Sequence, residues 1–212
     1  MMMATIRASA LCLVAALAAP AHAATPAAAP AASKPDVAKG QTISTGVCAS
    51  CHTNDGARGS PANPILMGQH PEYLVKQLQE FKSGKRNNAI IKGFASTLSD
   101  DDMKNVSAFY SSKTAKPGFA KDKATVMQGQ TIYRAGIAEK AVPACAGCHS
   151  PNGAGLPVQY PRLGGQHGDY TEAQLVAFRS GLRANSVQMT AIAQRMSDSE
   201  MKAVADYIAG LK

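Results

Sequence analysis

"CASCH", residues 48–52, and "CAGCH", residues 145–149, are one pattern occurring twice, 97 residues apart, in a chain of 212. Two cysteines separated by two residues and followed at once by a histidine put both thiols on one helical turn with an imidazole beside them. That arrangement suits attachment of a c-type haem. The thiols add to the two vinyl groups at one porphyrin edge, and the histidine is held under the iron as proximal ligand. A redox-active dithiol and half of a zinc site share the cysteine spacing. A dithiol does not need the adjacent histidine, however, and a single zinc site does not need two complete copies. The pattern therefore favours two covalently bound haem c groups, one held by Cys48, Cys51 and His52 and the other by Cys145, Cys148 and His149.

The repetition covers far more than the pentads. Gly40-Gln-Thr-Ile matches Gly129-Gln-Thr-Ile, and Pro64-x-Leu66-x-Gly68-Gln69-His70 matches Pro161-x-Leu163-x-Gly165-Gln166-His167. "YLVKQLQEFKSGKR" then matches "YTEAQLVAFRSGLR", and "LSDDDMKNVSAFY" matches "MSDSEMKAVADYI". Such self-similarity points to a duplicated unit. The expected domains are residues 36–112 and 127–212, joined by a linker at 113–126.

Each unit reads as helical. Tyr73, Leu74, Leu78 and Phe81 recur at helical spacing, as do Tyr170, Leu175 and Phe178, which predicts one amphipathic helix per unit. Ser99, followed by acids, and Ser197, with Glu200 three residues on, mark the start of a final helix in each. No stretch alternates convincingly enough to predict a sheet, so the fold class is all-α: two tandem small helical domains. The chain has no tryptophan. A core this poor in large apolar side chains is thin for a unit of this size, and a large flat apolar cofactor would fill it.

The N-terminus carries Arg7, an apolar run from about Ala8 to Ala19, and the Ala21-His22-Ala23 ending of an export signal. Residues 1–23 are expected to be a signal peptide cleaved after Ala23, with an Ala/Pro-rich tether at 24–35. Cys12 leaves with the signal. This predicts a periplasmic protein whose cysteines are used in thioethers rather than disulfides. The formal net charge is +8, but eight basic residues face seven acidic ones across 36–112, and eight face six across 129–212. Four lysines (113, 116, 121 and 123) sit in the connector. With no concentrated basic face, nucleic-acid binding is not indicated; peripheral association with an anionic membrane surface is compatible with the charge.

Pro64 and Pro161 each lie 12 residues after their histidine. A carbonyl from that segment is placed to accept the proximal imidazole N–H, orienting the ring and adjusting its donor strength.

With both pentads, both P-x-L-x-G-Q segments and both Ser-Asp helix starts in view, residues from about 36 to 212 resemble the dihaem cytochromes c4, tandem class I cytochrome c domains. The resemblance implies a methionine as sixth iron ligand, eight residues before the helix-capping serine. In the second unit that position is Met189. In the first it is Ile91, which cannot ligate iron. Met189 read without the resemblance is also compatible with core packing. For the distal side of the first haem the choices are an open or water-bound iron, Lys92, or another group among His70, Met67 and Met103. His70 has a twin, His167, in a unit that already possesses a methionine, which argues that both are structural or lie near the haem edge. Arg86 and Arg183 are placed either to neutralise haem propionates or as exposed helix-end arginines.

These residues predict an electron carrier rather than an enzyme. It would take single electrons from a quinol-oxidising complex (a quinol–cytochrome c reductase) or a dehydrogenase and pass them to a terminal oxidase or reductase in a respiratory chain. The competing class is a haem enzyme or small-ligand sensor using an open iron at haem 1.

Overall fold

The computed structural model describes residues 34–212; the expected signal peptide and most of the tether lie outside the described residues. Each half opens with a helix that ends near the cysteine pentad: α1 (Val37–Ile43) and α6 (Val126–Ala135). The pentads end in single-turn helices, α2 (Ala49–His52) and α7 (Ala146–His149). Then come α3 (Pro71–Ser83), α4 (Ala89–Thr97) and α5 (Asp100–Ser111) in the first half. Their second-half counterparts are α8 (Gly168–Ser180), α9 (Val187–Ala193) and α10 (Asp198–Gly210). Among the described residues pairing is limited to isolated bridges, and no helix is long and apolar enough to cross a membrane.

The repeated glycines have a steric cause. In each half the first helix crosses the last one closely, α1 over α5 and α6 over α10. A Cβ on Gly40 would lie 2.1 Å from the Asn105 carbonyl oxygen, and one on Gly129 would lie 2.1 Å from that of Ala203. Only glycine permits that approach. The final helices start as the sequence predicts, and both carry full capping boxes. Ser99 Oγ accepts the Asp102 N–H and Asp102 accepts the Ser99 N–H, with Ser197 and Glu200 repeating the exchange.

The halves differ most in the stretch before each pentad. Gly40 lies eight residues before Cys48, whereas Gly129 lies sixteen before Cys145. The extra residues form a loop closed by the Ile137–Val142 bridge, and both side chains join the second core with Tyr133, Phe178, Met201 and Val204. The first core is smaller, built on Ile65, Met67, Leu74, Val106, Phe109 and Tyr110. In the first half the chain from Ser44 to Cys48 instead widens into a π turn that leads straight into α2.

Residues 34–212 pack as one unit. The connector does not hang free. The Lys116 N–H bonds to the Gly56 carbonyl, and Arg58 donates to the carbonyls of Lys116 and Gly165. Asp206 takes the N–H groups of Lys121 and Asp122.

Candidate functional site

Each pentad presents the same polar geometry. His52 Nδ1 lies 2.9 Å from the Pro64 carbonyl oxygen, and His149 Nδ1 lies 3.0 Å from that of Pro161. A carbonyl can only accept, so Nδ1 carries the proton and Nε2 keeps its lone pair, as a metal ligand requires. Burial lowers both imidazole pKa values, against the opposing pull of the proline carbonyls, and keeps the rings neutral. The residue after each histidine, Thr53 at φ 53° and Ser150 at φ 69°, adopts a backbone that side-chain-bearing residues rarely enter. The same strained conformation in the same place in both halves is characteristic of a functional turn.

Among the described residues, none of the four pentad cysteines is paired in a disulfide. Burial pushes the Cys48 and Cys145 thiols up to about 11. That is the opposite of the depressed pKa by which a reactive dithiol works. Among the described residues no three His, Cys, Asp or Glu side chains converge to hold a metal ion, so the zinc reading finds no ligand set. The residues present fit a haem: two thiols and one neutral, carbonyl-oriented imidazole per half. In the second half Cys145, Leu163 and Met189 pack, only partly buried, against one apolar cluster.

The helix caps determine how Met189 and Ile91 correspond. From the pentads to the arginines the halves match at an offset of 97 residues, with Arg86 bridging to Arg183. Asn88 caps α4, and its side chain accepts the Ile91 N–H at 3.0 Å; Ser186 caps α9 and accepts the Met189 N–H at 3.3 Å. From these caps onward the offset is 98, with fully buried Ala95 answering Ala193. One extra residue in the second half, at 184–185, accounts for the change. Ile91 and Met189 therefore occupy the same third helical position, and Lys92 corresponds to Thr190.

Among the remaining distal candidates, the histidines and Met103 are engaged elsewhere. His70 Nε2 lies 2.9 Å from the Ala154 carbonyl and His167 Nε2 2.7 Å from the Arg58 carbonyl, so each histidine reaches into the opposite half. Met103 is fully buried in the first half, as Met201 is in the second. Met67 lines a cavity of about 390 Å³ between the halves, with Lys113 and Arg162. Lys92 is exposed, its ammonium near the glycine that ends α3.

Arg86 and Arg183 are buried, which removes the alternative of exposed helix-end arginines. Arg86 donates to Gln77, Tyr170 and Gln174. Arg183 donates to Asn185, Gln174 and Tyr73. Each guanidinium also stacks on its own half's phenylalanine, Phe81 or Phe178, at 4.5 and 4.4 Å. Tyr73 and Tyr170, read from sequence as part of an apolar helix face, turn their hydroxyls to these arginines across the boundary. The Gln of each P-x-L-x-G-Q segment completes the interface. Gln69 bonds both backbone groups of Arg162, and Gln166 both backbone groups of Ile65. These interface roles were missed from sequence, although the side chains recur at the same offset as the pentads.

Two helical halves, each built around a Cys-x-x-Cys-His turn with a backed imidazole, define a tandem c-type cytochrome. The cytochrome c family model matches at residues 37–113 and 126–212. Cytochrome c4 of Thiocapsa roseopersicina is 42% identical over 180 residues, covering 83% of this chain and 93% of that protein. The crystal structure of reduced recombinant cytochrome c4 from Pseudomonas stutzeri superposes with a TM-score of 0.78 at 38% identity, covering 84% of this chain and all of that one. A protein of Stutzerimonas stutzeri named as a thiosulfate dehydrogenase electron acceptor is 39% identical over 170 residues, covering 77% of this chain and 78% of that protein. The chain belongs to the cytochrome c family, and within it to the dihaem cytochromes c4. It is an electron-transfer protein with two covalently bound haem c groups.

Proposed function

We propose that this chain is exported to the periplasm and carries single electrons from a quinol-oxidising complex or a dehydrogenase to a terminal oxidase or reductase. The duplicated Cys-Cys-His turn, each histidine oriented by a proline carbonyl, is the observation that carries this reading. The named role of the Stutzerimonas relative supports a dehydrogenase as donor. Residues 36–112 form one haem domain and 127–212 the other, with 113–126 between them.

Cys48 and Cys51 attach the first haem and Cys145 and Cys148 the second; His52 and His149 are the proximal ligands. When bound, the haems supply reversible one-electron chemistry. The protein holds the imidazoles neutral, orients them, and fixes the two sites relative to one another through Gln69, Gln166, Arg86 and Arg183. Met189 is the distal ligand of the second haem. Its soft thioether favours the ferrous state and raises the potential. The equivalent Ile91 supplies no ligand; the favoured reading for the first haem is an open or water-bound iron, with Lys92 as the alternative sixth ligand. This asymmetry also favours a second reading, a site for a small ligand at haem 1 with haem 2 as its electron relay.

Met189→Ala tests the assignment. The second haem's potential is expected to fall while the first stays in place, read by potentiometric titration. An unchanged second potential contradicts Met189 as a ligand.

A further inference from the structure

The peptide that orients each proximal histidine is itself bonded from the opposite half. The Pro64 carbonyl and the Ile65 N–H are two ends of one peptide plane. The carbonyl accepts from His52 Nδ1 at 2.9 Å, and the N–H donates to Gln166 Oε1 at 2.9 Å. The second half repeats the connection. The Pro161 carbonyl accepts from His149 Nδ1 at 3.0 Å, and the Arg162 N–H of the same peptide donates to Gln69 Oε1 at 2.8 Å.

The glutamines are held for this task. Gln69 is 7% exposed and Gln166 9%. Each Nε2 donates to a carbonyl, that of Arg162 or of Ile65, at 2.9 and 3.0 Å. Each Oε1 also accepts the next residue's N–H, that of His70 or of His167. Two N–H donors meet each oxygen and one carbonyl meets each nitrogen, so the carboxamide orientation is determined by its partners.

A hydrogen bond at a peptide N–H draws charge toward its carbonyl oxygen, which makes that oxygen a stronger acceptor. A stronger acceptor at Nδ1–H makes the imidazole more basic at Nε2 and a better ligand to ferric iron. We propose that Gln166 tunes the first haem through His52, and Gln69 the second through His149, so that each half sets the potential of the other's haem. The proposal rests on His52 and His149 being the iron ligands. Both glutamines act as positioning residues, through the peptide and the imidazole.

The test is crossed. In the full-length holoprotein, Gln166→Leu is expected to raise the reduction potential of the first haem alone, and Gln69→Leu that of the second alone. The potentials are followed by redox titration, with the haems distinguished by their ferric EPR signals. Gln166→Glu loses the Nε2 donor as the leucine variant does, but keeps an acceptor oxygen and adds negative charge. It is expected to lower the first potential, opposite in sign to the leucine variant. Glutamines that serve only to dock the halves would give shifts of one sign in both variants, shifts at both haems, or none, and any of these overturns the proposal. The EPR and near-infrared magnetic circular dichroism spectra of the unaltered protein report ligation independently. Spectra without histidine ligation sink the ligand assignment together with the proposal. Histidine ligation with uncrossed potentials sinks the proposal alone.

Discussion

Replacing Ile91 by methionine tests whether one side chain accounts for the difference between the two haem sites. The backbone already matches: Ile91 and Met189 are the third residues of α4 and α9, their N–H groups bonded to the capping side chains of Asn88 and Ser186. Ile91 is half-buried. Exchanging it for a residue of similar volume costs less than about 1.5 kcal/mol even in a core, and methionine is the better helix former. The variant should therefore fold with nearly unchanged stability. A thioether that binds ferrous iron ten- to a hundredfold more tightly than ferric iron raises the potential by about 60 to 120 mV, each tenfold preference being about 59 mV for one electron. Redox titration of Ile91→Met should show the first haem moving upward by that amount while the second stays in place. A folded variant whose first potential is unchanged refutes the claim that the missing thioether sets this site apart.

Gly129→Ala puts a Cβ 2.1 Å from the Ala203 carbonyl oxygen, where ordinary contact begins near 3.4 Å, so α6 and α10 must separate by about an ångström. Overpacking of this kind costs about 1–3 kcal/mol, and an unchanged midpoint in chemical denaturation would contradict so close a crossing. Asp102 is ion-paired to Lys39 at 2.8 Å and accepts the Ser99 N–H at the start of α5, and that hydrogen-bonded lysine, followed by Ser99, holds its pKa at about 2 against an ordinary 3.8. Because the folded-state value is depressed, the stabilisation is complete above pH 3.8 and disappears as pH falls through about 2. Asp102→Asn should thus lower the denaturation midpoint at neutral pH and leave it unchanged near pH 2; equal effects at both would contradict the charge-based account.

The helical fold, the tandem arrangement and the polar partners of His52 and His149 were legible because local spacing encodes them. The pentads, the 12-residue interval to each proline and the Ser-x-x-acid caps are all short-range patterns. The interface was not legible, because Gln69, His70, Tyr73 and Arg86 act across the boundary on residues roughly a hundred positions away, and a repeat tells which residues correspond without telling which ones touch. The buried state of Arg86 and Arg183 shows the difficulty: a charged residue after a helix-ending glycine reads as solvated until Gln77, Gln174 and a tyrosine hydroxyl from the other half are seen around it. The extra residue near Asn185 is hidden from a fixed offset, since 97 would pair Met189 with Lys92; counting back from Ser99 and Ser197 gives the correct register, and the caps at Asn88 and Ser186 agree with it.

Carbon monoxide binding to the fully reduced protein separates an open iron at the first haem, where Ile91 stands, from an iron closed by Met189 at the second. Optical titration should show rapid uptake of one equivalent per chain, with the perturbed spectrum belonging to the first haem. No uptake would mean that another side chain closes that iron, and uptake at both haems would mean that Met189 does not hold the second.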